Sequence, residues 1–253
     1  MEVHHHPDLH HKKKNFREYF LEFLMIFLAV TMGFIAENIR EYITDSQKEK
    51  QYVFSLYEDL QADTAKLTFL INYDEEKINV LSHMNACYDT VSKNLKATSC
   101  MGALVKYSKT NRTFQPTDRT LRQLANAGGF RLLSKEDADS ILVYESMYRQ
   151  YEDFQRTIFQ GAQDNVRNTL NLLADFKVNY PLQNPAPWWG KDTTTSNLSG
   201  PFLFSDDRLL LNKWFNELAL YLRITKAQRN LLANLKDEAT QLMTFYKDEH
   251  RLD

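Results

Sequence analysis

The chain has 253 residues, 31 basic and 33 acidic, for a formal net charge of −2, and 43% of it is hydrophobic with 13% aromatic. That is enough apolar content to bury a core, while seven Gly and six Pro leave little room for loop-rich β structure. No basic surplus points to nucleic acid, and no RNP, zinc-finger or helix-turn-helix pattern is present.

The first 18 residues carry His4, His5, His6, His10 and His11 beside Lys12, Lys13, Lys14 and Arg17. Imidazoles at this density can bind Zn²⁺, Ni²⁺ or Cu²⁺, but an unfolded tail loses much of that affinity to ordering entropy. A solvated tail, or one touching lipid headgroups beside the lysines, is the plainer reading. No resident metal or cofactor is expected.

Residues 23–36 (FLMIFLAVTMGFIA) form the one membrane-grade run. Fourteen residues cover about 21 Å as a helix; adding residues 19–22 gives about 27 Å, close to the roughly 30 Å hydrocarbon core. Residues 19–36 are therefore the expected transmembrane helix, with Glu22 near the interface. A cleaved signal peptide fits less well, because a cut after Ala36 places Phe34 where a small residue is needed. A core helix of a soluble domain normally keeps a polar stripe, which this run lacks. Basic residues precede the run and Glu37, Arg40, Glu41 and Asp45 follow it, so the positive-inside rule puts the amino terminus in the cytoplasm. On a helix, Glu22, Ala29, Gly33, Ala36 and Arg40 fall within about 40° of one direction, and Ala29-x-x-x-Gly33 permits close helix approach. A homo-oligomeric contact along this face is expected; the alternative is that the small residues are incidental and Glu22 snorkels.

Residues 37–253 read as a helical domain. Val53, Tyr57, Leu60, Thr64, Leu67, Ile71, Ile78 and Leu81 make a heptad-like seam into which Asp74 intrudes. One helix is expected to run to about residue 95, an interruption near Thr44-Asp45-Ser46 being the alternative. Cys87 and Cys100 can form a disulfide in an oxidising compartment, worth about 3 kcal/mol in the chain-entropy model; two buried thiols are the alternative. Residues 96–116 read as a connection, with a strand candidate at 103–107. Thr117-Asp118 then caps a short helix holding Leu121 and Leu124, ended by Gly128-Gly129.

Ser134 opens a long helical pattern through Ile141, Tyr144, Tyr148, Tyr151, Phe154, Ile158, Ala162, Val166, Leu170, Leu173 and Phe176, whose tyrosines read as core and rim. Residues 178–204 form a long loop containing PAPWWG. There Trp188 and Trp189 suit a partner, carbohydrate or membrane-interface surface, while packing over the domain end is the plainer reading. Ser205-Asp206-Asp207 caps a last helix with Leu210, Trp214, Leu218, Tyr221, Leu222, Leu231, Leu235, Leu242 and Tyr246 apolar. The expected fold class is all-α: one N-terminal transmembrane helix followed by an antiparallel helical bundle of three long helices and one short one.

The opening MEVHHHP, the block KKNFREYFLEFLMIFLAV at residues 13–30 and AENIRE at 36–41 together resemble the start of an uncharacterised family of short single-span bacterial membrane proteins. Thr120-Leu121 with Leu124 and GGFRLL at 128–133, before a tyrosine-rich helix, is similar to a related single-span family. The resemblance implies a Gram-negative inner-membrane protein with a helical exported domain. It carries no activity and no site residue.

Enzyme signatures are absent from the sequence: there is no H-E-x-x-H, Glu-x-x-His pair, G-x-S-x-G, P-loop or G-x-G-x-x-G. A His83–Cys87 dyad at i, i+4 lacks an orienting third group. The expected function is non-enzymatic: a membrane-anchored periplasmic interaction or scaffold module, accessory to an envelope complex. The alternative is a ligand-sensing bundle that relays binding across the membrane through a partner, since the expected cytoplasmic tail is too short for a signalling domain; an enzyme of unrecognised type ranks third. Lipid, further copies of the chain or other envelope proteins are the expected partners, and nucleic acid is not.

Overall fold

A computed structural model of the chain describes residues 15–126, 128–176 and 202–252, all helical or connecting, with no strand among them. The only pairing of β type in these residues is an isolated bridge between Ala174 and Leu203. The chain divides into two compact units, Met1–Gln51 and Tyr52–Asp253.

Helix α1 (Phe16–Ser82) begins in the first unit and continues into the second. Within the first unit its large apolar side chains lie exposed, among them Phe23, Ile26, Phe27, Val30, Phe34 and Ile35. α1 runs through Thr44-Asp45-Ser46 without the alternative interruption. Instead of capping a new helix, the Thr44 hydroxyl donates back to the Arg40 carbonyl at 2.8 Å, and Asp45 pairs with Lys48 at 3.5 Å. A side chain that bonds within the preceding turn leaves the backbone ladder intact.

In the second unit the buried positions of α1 include Val53, Leu56, Leu60, Asp63, Leu67, Leu70, Asp74, Lys77 and Leu81. Their spacings alternate between three and four, which is heptad periodicity. The register differs from the expected seam by one residue at every second step: Leu56, Asp63, Leu70 and Lys77 face inward where Tyr57, Thr64, Ile71 and Ile78 were expected. Apolar periodicity favoured the second set because it contains no charge. The first set wins because its charged members find partners across the core.

α1 ends at Ser82, where the Ser82 hydroxyl and His83 Nδ1 both turn onto the Asn79 carbonyl. Helix α2 (Met84–Lys93) follows, so the expected single helix to residue 95 is two. The segment expected as a connection holds α3 (Met101–Lys109), and the strand candidate at 103–107 lies inside it. Met101, Leu104, Val105, Tyr107 and Ser108 are its buried residues. That 3.6-residue repeat overrides the β propensity of Val105 and Tyr107.

Helix α4 (Arg119–Asn126) ends as expected at Gly128, which adopts a left-handed φ of 63°, and a 3₁₀ turn (Gly129–Leu132) leads on. Ser134 caps α5 (Lys135–Phe154) by accepting from the Asp137 N–H at 3.0 Å. The long pattern expected beyond it is interrupted by a π-helical turn (Gln155–Phe159) before α6 (Gln160–Leu173). The extra residue rotates the inward face, so Phe159 is fully buried while Ile158 is 49% exposed. Phe176, expected on the same face, is also exposed. Asp207 caps α7 (Arg208–His250), accepting from the N–H groups of Leu209 and Leu210 at 2.8 and 3.2 Å.

Two apolar clusters fill the second unit. One joins Leu81, α2, α3 and α6 to Leu211, Trp214, Leu218 and Tyr221 of α7. The other joins Val53, Leu60 and Leu67 of α1 to Ile141, Tyr144 and Tyr151 of α5 and Leu232, Leu235 and Tyr246 of α7.

Candidate functional site

The residues singled out from the sequence lie in separate places. His4, His5, His6, His10 and His11, and Trp188 and Trp189, fall outside the described residues. Ala29, Gly33, Ala36 and Arg40 are exposed on α1 and Glu22 is half-exposed. A Cβ built on Gly33 would meet nothing within 4 Å. Arg40 is ion-paired to Glu37 on its own helix. Cys87 and Cys100 are joined by a disulfide that ties α2 to the start of α3, with Cα atoms 5.6 Å apart. A Cys87 held in that bond offers no nucleophile to His83. Of the expected 178–204 loop, only residues 202–204 are described. Phe202 is fully buried and donates its N–H to Thr98 Oγ1 at 3.1 Å, and an open depression of about 780 Å³ lies between residues 95–99 and 203–206. Among the described residues no group of three or more His, Cys, Asp or Glu converges to hold a metal ion.

The largest concentration of buried polar chemistry was only half legible. Between the two apolar clusters, Asp74 and Lys77 of α1 and Thr225 and Gln228 of α7 are all fully buried. Gln228 Nε2 donates to Asp74 Oδ2 at 2.8 Å, and Gln155 Nε2, from the π-helical turn, donates to Gln228 Oε1 at 2.6 Å. Lys77 Nζ donates to Tyr221 Oη at 2.5 Å and to the Thr110 carbonyl at 3.3 Å. The same ammonium lies 4.4 Å from the Tyr221 ring centroid and 5.0 Å from that of Phe159, within cation–π range. Among the described residues, none offers a hydrogen bond to the buried Asp74 Oδ1. Burial pushes the Asp74 carboxyl well up from its ordinary range, against the pull of Lys77. It pushes Lys77 well down, and the charge of Arg167 on α6 adds to that push. Two sequence signals mark this layer: Asp74 breaks the α1 seam, and the apolar repeat of α7 pauses between Leu222 and Leu231, where Thr225 and Gln228 sit.

A second polar group is a clamp. Asp63 Oδ1 accepts from the Thr117 N–H and hydroxyl at 2.7 and 2.8 Å and from Lys66 Nζ at 3.1 Å, while Oδ2 accepts from the Tyr144 hydroxyl at 3.0 Å. Asp59 accepts from Arg119 Nε at 2.6 Å and from the Thr120 hydroxyl and N–H at 2.6 and 3.2 Å. Carboxylates at i and i+4 on α1 thus satisfy the free donors at the start of α4. The bonds these two carboxylates accept all come from the chain itself, which marks the clamp as structural.

Comparison with protein-family models, with curated proteins and with solved structures finds no match to this chain. The functional reading therefore rests on the geometry above.

Proposed function

We propose that the protein is a non-enzymatic, membrane-anchored helical interaction module: α1 crosses the inner membrane of a Gram-negative cell through residues 19–36, and residues 37–253 act in the periplasm as an accessory subunit of an envelope complex. The observation that carries the reading is the apolar window of α1, none of which is buried in the structure. A core helix of a soluble domain would be covered by its own fold. Exposing more than a dozen large apolar side chains to water along one helix far exceeds the patch size of an ordinary soluble surface.

The domain is proposed to be an antiparallel bundle. Order of partners supports this: along α1, Asp74 bonds to Gln228 and Lys77 to Tyr221, so one helix ascends as the other descends. Asp137 of α5 and Gln155 of the π-helical turn meet His250 and Gln228 of α7 in the same sense. Self-association along Glu22, Ala29, Gly33, Ala36 and Arg40 is part of the proposal, supported by the open space at Gly33.

Fractionation of cells expressing the full chain tests the anchor. Retention in membranes after an alkaline wash, with release only by detergent, is the expected result, and release by the wash alone would sink the reading. For orientation, an impermeant thiol reagent applied to intact cells should label Cys87 and Cys100 only after reduction. Labelling that requires lysis would place the domain in the cytoplasm. Crosslinked oligomers that persist unchanged in Gly33→Leu would remove the proposed contact face.

A further inference from the structure

The layer between the two apolar clusters has three properties that seldom coincide in a static core. It holds an acid and a base on one helix, each fully buried. One oxygen of the acid has no partner among the described residues. The neighbouring chain passes through a π-helical turn at this level, and Gln155 of that turn is tied through Gln228 to the same acid. π-Helical turns are local departures from the i, i+4 ladder and recur at functional positions.

We propose that Asp74 is a proton-binding site, and that protonation of the layer tightens the packing of α1 against the π-helical turn and α7. With both groups charged, the carboxylate has one satisfied oxygen, and the ammonium depends on Tyr221, the Thr110 carbonyl and two aromatic faces. A proton placed on Asp74 Oδ1 removes the uncompensated charge from that oxygen. The Asp74 Oδ2–Gln228–Gln155 chain needs no rearrangement, because Oδ2 remains an acceptor.

Tyr73 and Lys77 lie on α1, Tyr221 on α7, Tyr151 on α5 and Arg167 on α6, and the Arg167 guanidinium in turn donates to the carbonyl of Lys109 at the end of α3. Of these, Lys77 favours the carboxylate form of Asp74, whereas Arg167 opposes the charge on Lys77.

The pH dependence follows from linkage. Asp74 has a folded-state pKa above its unfolded value, so the folded chain takes up a proton first, and its contribution to stability rises as pH falls through the folded value. Lys77 has a folded-state pKa below its unfolded value, so its contribution rises as pH climbs through the folded value. The combined contribution is smallest between these two limbs.

The experiment uses the full chain in detergent micelles. Thermal midpoints are measured from about pH 5 to 9 for the wild type, for Asp74→Asn and for the apolar pair Asp74→Leu/Lys77→Met. Amide exchange across residues 155–159, corrected for intrinsic rate, supplies the local readout. The wild type should lie furthest below the apolar pair at an intermediate pH and approach it on both sides. Asp74→Asn should lose the acid limb, and wild-type exchange at 155–159 should slow by about tenfold on acidification, the factor that one pKa unit of coupling supplies. A gap between wild type and apolar pair that does not change with pH would overturn the proposal, as would an apolar pair whose exchange at 155–159 still slows on acidification. Should Asp74→Asn fail to fold, the apolar pair decides by itself, since replacing a buried ion pair by apolar residues of similar volume is generally tolerated.

Discussion

At the residue scale, the second unit depends on a few buried polar atoms whose partners come from distant parts of the chain. Tyr144→Phe removes one of the four donors on Asp63 and should lower stability by about 1 kcal/mol, whereas Asp63→Ala strands the Thr117 N–H and the Tyr144 hydroxyl together and should cost about 3 kcal/mol or more. Chemical denaturation of both variants in detergent checks the ratio; equal losses would mean that Asp63 is not the centre of the clamp. Gly129 is a steric case: a Cβ there would lie 2.9 Å from Leu124 Cδ2 and 3.2 Å from Leu124 Cα. Because the second contact is backbone, Gly129→Ala should destabilise by about 1–3 kcal/mol, read as a lowered thermal midpoint. Position 129 was legible in the sequence as a helix stop, but its need for close approach was not, since that depends on where Leu124 lies after α4 turns back.

At the element scale, the π-helical turn supplies the sharpest contrast between periodicity and packing. The sequence repeat selects Ile158, while the structure buries Phe159 against Tyr221, with ring centroids 5.4 Å apart. Phe159→Ala should therefore cost about 3–5 kcal/mol, and Ile158→Ala less than about 1 kcal/mol. Comparable losses at the two positions would show that the helix runs on without the insertion. The caps were readable because they are local: Ser134 and Asp207 each accept from N–H groups two or three residues ahead. α3 was not, because its buried face is defined by α6 and by residues beyond it.

At the scale of the whole molecule, the disulfide is the one covalent constraint among the described residues, and it pins the turn that carries Thr98 and, through it, Phe202. Cys87→Ser/Cys100→Ser should lower stability by about 2–4 kcal/mol by the loop-entropy argument, with a matching fall when the wild type is melted under reducing conditions. If reduction leaves the wild-type midpoint unchanged, the cross-link does not contribute to the folded state. Phe202 anchors the chain to the core just after the undescribed residues, so destabilisation should appear first as faster amide exchange around residues 95–99.

By itself the sequence determined the helical class, the single apolar run near the amino terminus and the capped ends of α4, α5 and α7, because these depend on interactions within a few residues: hydropathy, capping and the scarcity of Gly and Pro. The tertiary structure decided which face of α1 turns inward, that residues 101–109 are a helix, and that a charged layer separates two apolar cores. Each of these is a choice between neighbouring registers that differ little locally. It is made by whether buried groups such as Asp63, Asp74 and Lys77 find partners more than 30 residues away, and that information exists only once the helices are packed.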